Sequence, residues 1–142
     1  MLRVLCAGVL FASAAIVADA DADLKALEGT WVIDAATLDG RDHGDDFKGM
    51  KLILRGKDYT IQFAENSDKG TFTLNAEKSP KWIDIKTGEN GPFKGKTLPG
   101  IYKLDDNTLV LCLHGDGKTR PGEFDAKAKT RNMLLTYKRE KK

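Results

Sequence analysis

The chain has 142 residues, of which 31% are charged and 41% are hydrophobic, and its formal net charge is +2. This length predicts one domain and excludes a two-domain enzyme. A charge so close to neutrality gives no reason to expect nucleic acid or an anionic membrane as a partner.

The first twenty residues have the pattern of a secretory signal peptide. Arg3 supplies a positive charge, an uncharged and largely apolar run covers Val4–Val17, and the small residues of Ala18–Ala20 follow it. The run is shorter than the roughly 18 to 20 residues that span a bilayer. We therefore predict a signal peptide over residues 1–20 and a mature domain over residues 21–142, exported to the periplasm or the extracellular space without a membrane span.

Cleavage also sets the cysteine content of the mature chain. We expect it after Ala20, with Ala18 and Ala22 as alternatives, and each position removes Cys6. Cys112 is then the one cysteine left, so no intramolecular disulfide can form. Because Cys112 lies within an apolar run, we interpret it as a small buried hydrophobe rather than a nucleophile.

A helical turn at Asp23–Leu27 precedes a series of short strand patterns. From Trp31 onward, Gly, Asp and Asn separate segments that are rich in β-branched and aromatic residues. Tyr59, Ile61 and Phe63 fall on one face of such a segment, as the two-residue period of a strand requires. The eight predicted strands are Thr30–Ala35, Met50–Arg55, Tyr59–Ala64, Gly70–Leu74, Trp82–Lys86, Ile101–Leu104, Thr108–His114 and Asn132–Lys138.

The links between these strands are short. Arg55–Asp58, Glu65–Lys69 and Asp105–Asn107 have the turn residues expected between antiparallel neighbours. Closing such a meander removes the exposed edges of an open sheet. We therefore predict an all-β fold: an eight-stranded antiparallel up-and-down barrel with a short N-terminal helical turn. Its interior is wide enough to be filled by side chains or to hold one small ligand.

Two loops have compositions that could carry chemistry. Asp39–Asp46 contains four carboxylates and His43, but their spacing fits no calcium loop, so we predict a solvated acidic loop and no metal site. Gly91–Thr97 resembles a phosphate loop, but its glycines are one residue too close and the required helix is missing, so we interpret it as a turn. The sequence has no Gly-x-Ser-x-Gly elbow and no His-Glu-x-x-His motif. The sequence therefore predicts neither an enzymatic activity nor a bound cofactor.

Arg120–Phe124 is the most specific segment near the end of the chain. An arginine, a rigid turn, an acid and an aromatic residue follow one another there. In a structural interpretation, Arg120 pairs with Asp84 or Glu123 while Phe124 plugs one barrel end. In a functional interpretation, Arg120 and His114 hold an anionic head group at the barrel mouth. A hydrolase or isomerase that uses Asp84, His114 or Cys112 is the least favoured alternative.

Six ordered blocks of the chain resemble a family of small exported lipocalin-like domains of planctomycete type, which has no established biochemical function. The blocks are Leu24–Trp31, Lys69–Phe72, Pro80–Asp84, Gly100–Leu104, Thr108–Cys112 and Arg120–Phe124. Gly29–Trp31 is also similar to the Gly-x-Trp motif that opens lipocalin barrels. The resemblance implies a lipocalin-like barrel in which Trp31 closes one end beneath a basic residue of the last strand, Arg139 or Lys138.

We hypothesise an exported module whose interior or mouth binds a small apolar or amphipathic molecule. The candidate ligand-binding residues are Tyr59, Phe63, Phe72, Trp82, Tyr102 and Phe124, with His114 and Arg120 at the rim. The same aromatic side chains could instead fill the core. The alternative is a filled-core structural or interaction domain of the cell envelope that docks a protein or a polysaccharide. In either case we expect a monomer.

Overall fold

The computed structural model describes residues 20–89 and 93–141. The predicted signal peptide over residues 1–20 lies outside this part, except for Ala20, which begins the first helix. No helix within the described residues is both long and apolar enough to cross a membrane.

One helix and nine strands make up the described residues. Their bounds are α1 Ala20–Leu27, β1 Gly29–Leu38, β2 Arg41–Asp42, β3 Lys51–Arg55, β4 Asp58–Phe63, β5 Asn66–Asn75, β6 Lys81–Lys86, β7 Thr97–Asp105, β8 Thr108–His114 and β9 Asn132–Arg139. A single 3₁₀ turn, Asp45–Phe47, lies between β2 and β3.

Eight of these strands form a closed antiparallel barrel. Consecutive strands pair from β3 to β9, and β1 pairs with both β3 and β9, which closes the sheet. A bulge between Ile33 and Ala35 in β1 bends the strand where it passes from one neighbour to the other. The two residues of β2 pair only with the end of β1. The predicted eight-stranded up-and-down barrel is confirmed.

Two strands, β5 and β7, begin four residues earlier than the sequence predicts. Residues 66–69, expected in a turn, belong to β5 and pair with β4, because Ala64 and Glu65 alone make the connection. Ala64 has φ +54°, a left-handed conformation that lets so short a turn reverse the chain. Strand β7 likewise begins at Thr97 instead of Ile101. Residues 66–69 pair with β4 and residues 97–99 pair with β6, so one neighbouring strand extends each of them.

The core lies inside the barrel and is covered at one end by α1. Alternate residues of the strands face inward, and Leu27 of α1 packs against them. The most deeply buried core side chains are Leu27, Trp31, Tyr102, Leu109 and Tyr137.

A second packed layer lies outside the barrel, beneath the long connection between β8 and β9. Residues 115–131, here called the strap, cover the outer face of β7 and β8. Ile101 and Cys112, which alternate with inward-facing residues of these strands, are 1% and 0% exposed. The Cys112 thiol donates to the Asp125 carbonyl at 3.4 Å, and Arg120 donates to the Gly100 carbonyl at 2.8 Å. The strap therefore belongs to the folded body of the protein.

Candidate functional site

The barrel contains a cavity of about 270 Å³. The lining residues are mostly aliphatic or aromatic and include Leu52, Ile61, Phe72, Ile83, Leu111, Leu135 and Tyr137. In the described part of the chain, Asp68 is the one lining residue with a charged side chain. An apolar cavity of about 150 Å³ holds benzene, and ordinary ligand pockets begin at about 300 Å³. The space therefore suits one small, mainly apolar molecule.

Helix α1 and the first and last strands close one end of the cavity. The Trp31 indole N–H donates to the Leu27 carbonyl at 2.8 Å, which fixes the ring against the end of α1. The Arg139 guanidinium lies 4.3 Å from the centre of the Trp31 ring. It also donates to the carbonyls of Ala26 and Glu28 at 2.7 and 3.0 Å. The structure thus brings Trp31 and Arg139 together at the covered end.

A partly buried polar contact ties α1 to the opposite wall. The Tyr102 hydroxyl donates to Asp23 Oδ2 at 2.6 Å, and Lys81 Nζ lies 2.9 Å from the same oxygen. Burial, followed by the hydrogen bond to Asp23, raises the pKa of Tyr102 well above its usual range. Sequence reasoning missed Asp23 and Lys81, because their partners are 79 and 58 residues away along the chain.

Tyr59 and Asp68 form a polar spot in the otherwise apolar wall. Tyr59 pairs with Gly70 across β4 and β5, and a Cβ atom on Gly70 would lie 2.6 Å from the Tyr59 hydroxyl oxygen. The ring therefore occupies the space that a side chain at position 70 would need. Burial, and then the nearby Asp68 carboxylate, raise the pKa of Tyr59 to about 12.

Asp68 occupies an inward-facing position of β5 that an apolar residue would normally fill. It pairs with Ile61 across the sheet, and both side chains line the cavity. The Oδ1 atom of Asp68 is buried and has no hydrogen-bond partner. No ion pair with a described cation involves this carboxylate. Sequence reasoning placed Asp68 in a turn and so missed its inward-facing position. The available signal was the two-residue period of a strand, which puts Asp68 on the same face as Phe72.

Aromatic and aliphatic side chains surround the cavity at the end opposite α1. Leu38, Phe47, Phe93 and Met133 line it there. Phe63 packs against Phe47, with ring centres 6.2 Å apart, but is not one of the lining residues. This end is built from the 3₁₀ turn and the ends of strands.

The predicted ligand-binding residues fall into three groups. Tyr59, Phe72 and Tyr102 line the cavity. Phe63 packs against Phe47 at the end opposite α1, whereas the other four residues lie away from the lining; these are Trp82, His114, Arg120 and Phe124.

Trp82 and Phe124 pack against cations instead of facing the interior. Trp82 lies between Arg120, whose guanidinium carbon is 4.1 Å from the ring centre, and Lys78. Ile83 faces inward on β6, so its neighbour Trp82 must face outward. The Phe124 ring faces Lys103 Nζ at 4.7 Å, because the strap crosses the outer wall. The structure therefore does not place Phe124 as a plug of the barrel end.

Arg120 and His114 each contact a carboxylate at the strap. Arg120 Nη2 lies 2.7 Å from Asp84 Oδ1, which confirms the predicted Arg120–Asp84 pair. His114 Nδ1 lies 2.8 Å from Asp116 Oδ1. Hydrogen bonds from Thr119, and then from the backbone, hold the pKa of Asp116 well below its usual range. These contacts order the outer surface of the barrel.

The acidic loop contains the short strand β2 and the start of the 3₁₀ turn, and the described part of the second loop forms a local turn. In the acidic loop, His43 Nδ1 lies 2.7 Å from Asp46 Oδ2. Among residues 20–89 and 93–141, no group of three or more His, Cys, Asp or Glu side chains is arranged to hold a metal ion. The phosphate-loop-like segment lies partly outside the described residues, and its described part is a turn that enters β7 at Thr97.

No protein-family model matches the chain, and no curated protein matches it. Among solved structures, it is similar to a DUF4847 family protein from Bacteroides vulgatus, with a TM-score of 0.51 and 12% sequence identity. The match covers 81% of this chain and 94% of that protein. At this identity, the similarity supports the barrel fold alone. The lipocalin-like family of planctomycete type stays a prediction.

Proposed function

We propose that the protein is an exported binding module that holds one small apolar or amphipathic molecule inside its barrel. The observation that carries this proposal is the cavity of about 270 Å³ with its predominantly apolar lining. Protein interiors are close-packed, and voids larger than a water molecule are few. A cavity of this size is therefore more typical of a binding site than of a packing defect.

The distribution of aromatic residues explains why the interior is not filled. Trp82 and Phe124 lie on the outer wall, and Trp31 lies at the covered end beneath Arg139. The side chains left around the cavity are mainly Leu and Ile. Tyr59, Phe72 and Tyr102 do face the interior. The filled-core alternative nevertheless loses the packing of Trp82 and Phe124 and is disfavoured to that extent.

Binding is tested by thermal unfolding and calorimetry with toluene and 1-octanol as probes. A ligand at a hundred times its dissociation constant stabilises the folded state by about 2.7 kcal/mol. We expect at least one probe to raise the unfolding temperature. If neither probe binds, the binding proposal is wrong and the docking domain becomes the better explanation.

Two neighbouring leucines of β9 supply a matched pair of variants. Leu135 lines the cavity, whereas Leu134 does not. Leu135→Phe should reduce the affinity for the probe about tenfold or more, because the larger ring occupies the ligand's space. Leu134→Phe makes the same chemical change outside the cavity and should leave affinity unchanged. Equal affinities of the two variants would place the probe elsewhere on the protein.

Export is the second part of the proposal and rests on the apolar leader. Cleavage after Ala18, Ala20 or Ala22 would leave Asp23, so the contact between α1 and Tyr102 would survive in the mature protein. Cell fractionation and mass spectrometry of the N-terminus test this. We expect a processed chain outside the cytoplasm; an intact chain confined to the cytoplasm would contradict export.

A further inference from the structure

One carboxylate faces a cavity that is otherwise apolar. Asp68 is the one acidic residue among the described residues of the lining, and no Lys, Arg or His is among them. The five ion pairs formed by the described residues do not include Asp68. The electrostatic character of the cavity is therefore set by one negative group without a compensating cation.

The Asp68 carboxylate is also incompletely hydrogen-bonded. Its Oδ1 atom is buried without a partner, which is unfavourable for a polar atom and more so for a charged one. A ligand that donates a hydrogen bond to this carboxylate would offset that cost. The Tyr59 hydroxyl hydrogen-bonds with the same carboxyl group, and both side chains line the cavity. A polar head group would therefore meet an acceptor and a hydroxyl in one place.

The same arrangement disfavours anionic head groups. A carboxylate on the ligand would lie close to Asp68 in a medium of low dielectric constant, with no lining cation to compensate either charge. A hydroxyl needs only to donate a hydrogen bond, and an ammonium group would also neutralise the carboxylate. The cavity should therefore bind an amine, an alcohol and a carboxylate with different affinities even when the three have the same apolar chain.

Resting on the proposed function, we infer that the cavity selects an amphipathic molecule whose head group donates a hydrogen bond and bears no negative charge. An aliphatic amine or alcohol fits this description, and a fatty acid does not. Asp68 accepts the hydrogen bond of the head group, and the apolar wall contacts the chain. Asp68 is therefore the specificity-determining residue of the site.

The test compares octylamine, 1-octanol and octanoate by calorimetry with the full chain at neutral pH. The three probes share a chain length and differ in head-group charge. We expect octylamine to bind most tightly, 1-octanol next, and octanoate at least about tenfold more weakly than octylamine. If octanoate binds as tightly as 1-octanol, the inference is wrong. This comparison needs no variant of the protein.

Asp68→Asn keeps the size of the side chain and one acceptor oxygen while removing its charge. We expect it to weaken octylamine binding about tenfold and to change 1-octanol binding by less than about threefold. Asp58→Asn removes the same charge at an exposed position of β4 and is the matched control. If the ratio of the octylamine and octanoate affinities is the same in Asp68→Asn as in the unmodified chain, Asp68 does not determine the specificity.

The outcomes separate this inference from the proposed function. If 1-octanol binds and Leu135→Phe abolishes binding, the cavity is a binding site whatever its charge preference. Equal binding of the three head groups would then overturn the selectivity alone. If none of the three probes binds, the proposed function fails and the selectivity fails with it.

Discussion

Gly70 determines where the Tyr59 ring lies in the cavity wall. The two residues are cross-strand partners, and the ring covers the face of β5 that has no side chain. A methyl group at position 70 would also overlap the carbonyl oxygen of Lys86, which belongs to the backbone of β6 and has little freedom to move. The glycine is therefore required by a close approach inside the sheet.

This requirement predicts that Gly70→Ala destabilises the barrel. We expect the free energy of unfolding to fall by about 1–3 kcal/mol, the usual cost of overpacking a core. Gly122→Ala is the matched control, because no heavy atom lies within 4 Å of the added Cβ. Urea unfolding of both variants provides the measurement. Equal midpoints would show that the sheet adjusts to the methyl group.

Helix α1 is held in place by an arginine from the last strand, near the opposite end of the chain. Arg139 lies in β9 and donates to carbonyls of Ala26, Glu28 and Asp106. Its planar guanidinium also stacks on Trp31. A lysine has one ammonium group and cannot make these contacts in the same geometry.

Arg139→Lys should therefore loosen the covered end although the charge is kept. We expect the free energy of unfolding to fall by about 1–2 kcal/mol, within the range for lost charged hydrogen bonds. Arg55→Lys, at an exposed position of β3, should change it by less than about 0.5 kcal/mol. Guanidinium unfolding measures both effects. If Arg139→Lys lowers the free energy of unfolding no more than the control does, the planar geometry of the guanidinium does not contribute.

The strap shields the thiol of Cys112 from solvent. Cys112 lies beneath it, and burial raises the pKa of this thiol to about 11. Arg120 fixes the strap through Asp84 and two carbonyls of the barrel wall. Alkylation of Cys112 thus requires the strap to open locally.

Arg120→Ala should make that opening more frequent. We expect iodoacetamide to label Cys112 at least about fivefold faster than in the unmodified chain, as judged by peptide mass spectrometry, since roughly 1 kcal/mol of local stability corresponds to this factor. Arg41→Ala removes an exposed arginine of β2 and should not change the rate. Labelling that is already fast in the unmodified chain would contradict a closed strap.

For the whole molecule, alternation of side chains was enough to predict the barrel but not what its faces contact. The regular pattern of Tyr59, Ile61 and Phe63 identifies β4 and its inward face. In β6, Trp82 and Ile83 are both apolar, so the sequence does not show which of them faces the interior. Trp82 faces outward because the strap packs on that face. The contacts of the strap join residues far apart in sequence, such as Arg120 and Asp84, so the sequence alone does not show them.

Asp68 escaped prediction because its surroundings look like a turn. Residues 66–69 have the composition of a turn, but the connection at Ala64 and Glu65 is so short that they pair with β4 as a strand. Position 68 then faces inward because Phe72 does. The most polar feature of the cavity therefore depends on the length of the β4–β5 turn, which sets the register of the hairpin.

The three tyrosines of the chain all line the cavity, which makes their ionisation a reporter of the whole fold. Burial raises the pKa of Tyr59 to about 12, and it raises the pKa of Tyr102 and Tyr137 further. In the unfolded chain all three titrate near pH 10. Their contribution to stability is therefore complete below about pH 10 and is lost as the pH rises through the folded values.

We expect the folded protein to show little phenolate absorbance at about pH 11, where free tyrosine is mostly ionised. Phenolate should appear in step with the loss of the far-ultraviolet circular dichroism of the sheet, because ionisation of these residues requires the barrel to open. The urea-unfolded chain, titrated in parallel, is the control and should ionise near pH 10. If most of the phenolate forms near pH 10 while the sheet signal persists, the tyrosines face solvent and the closed cavity is wrong.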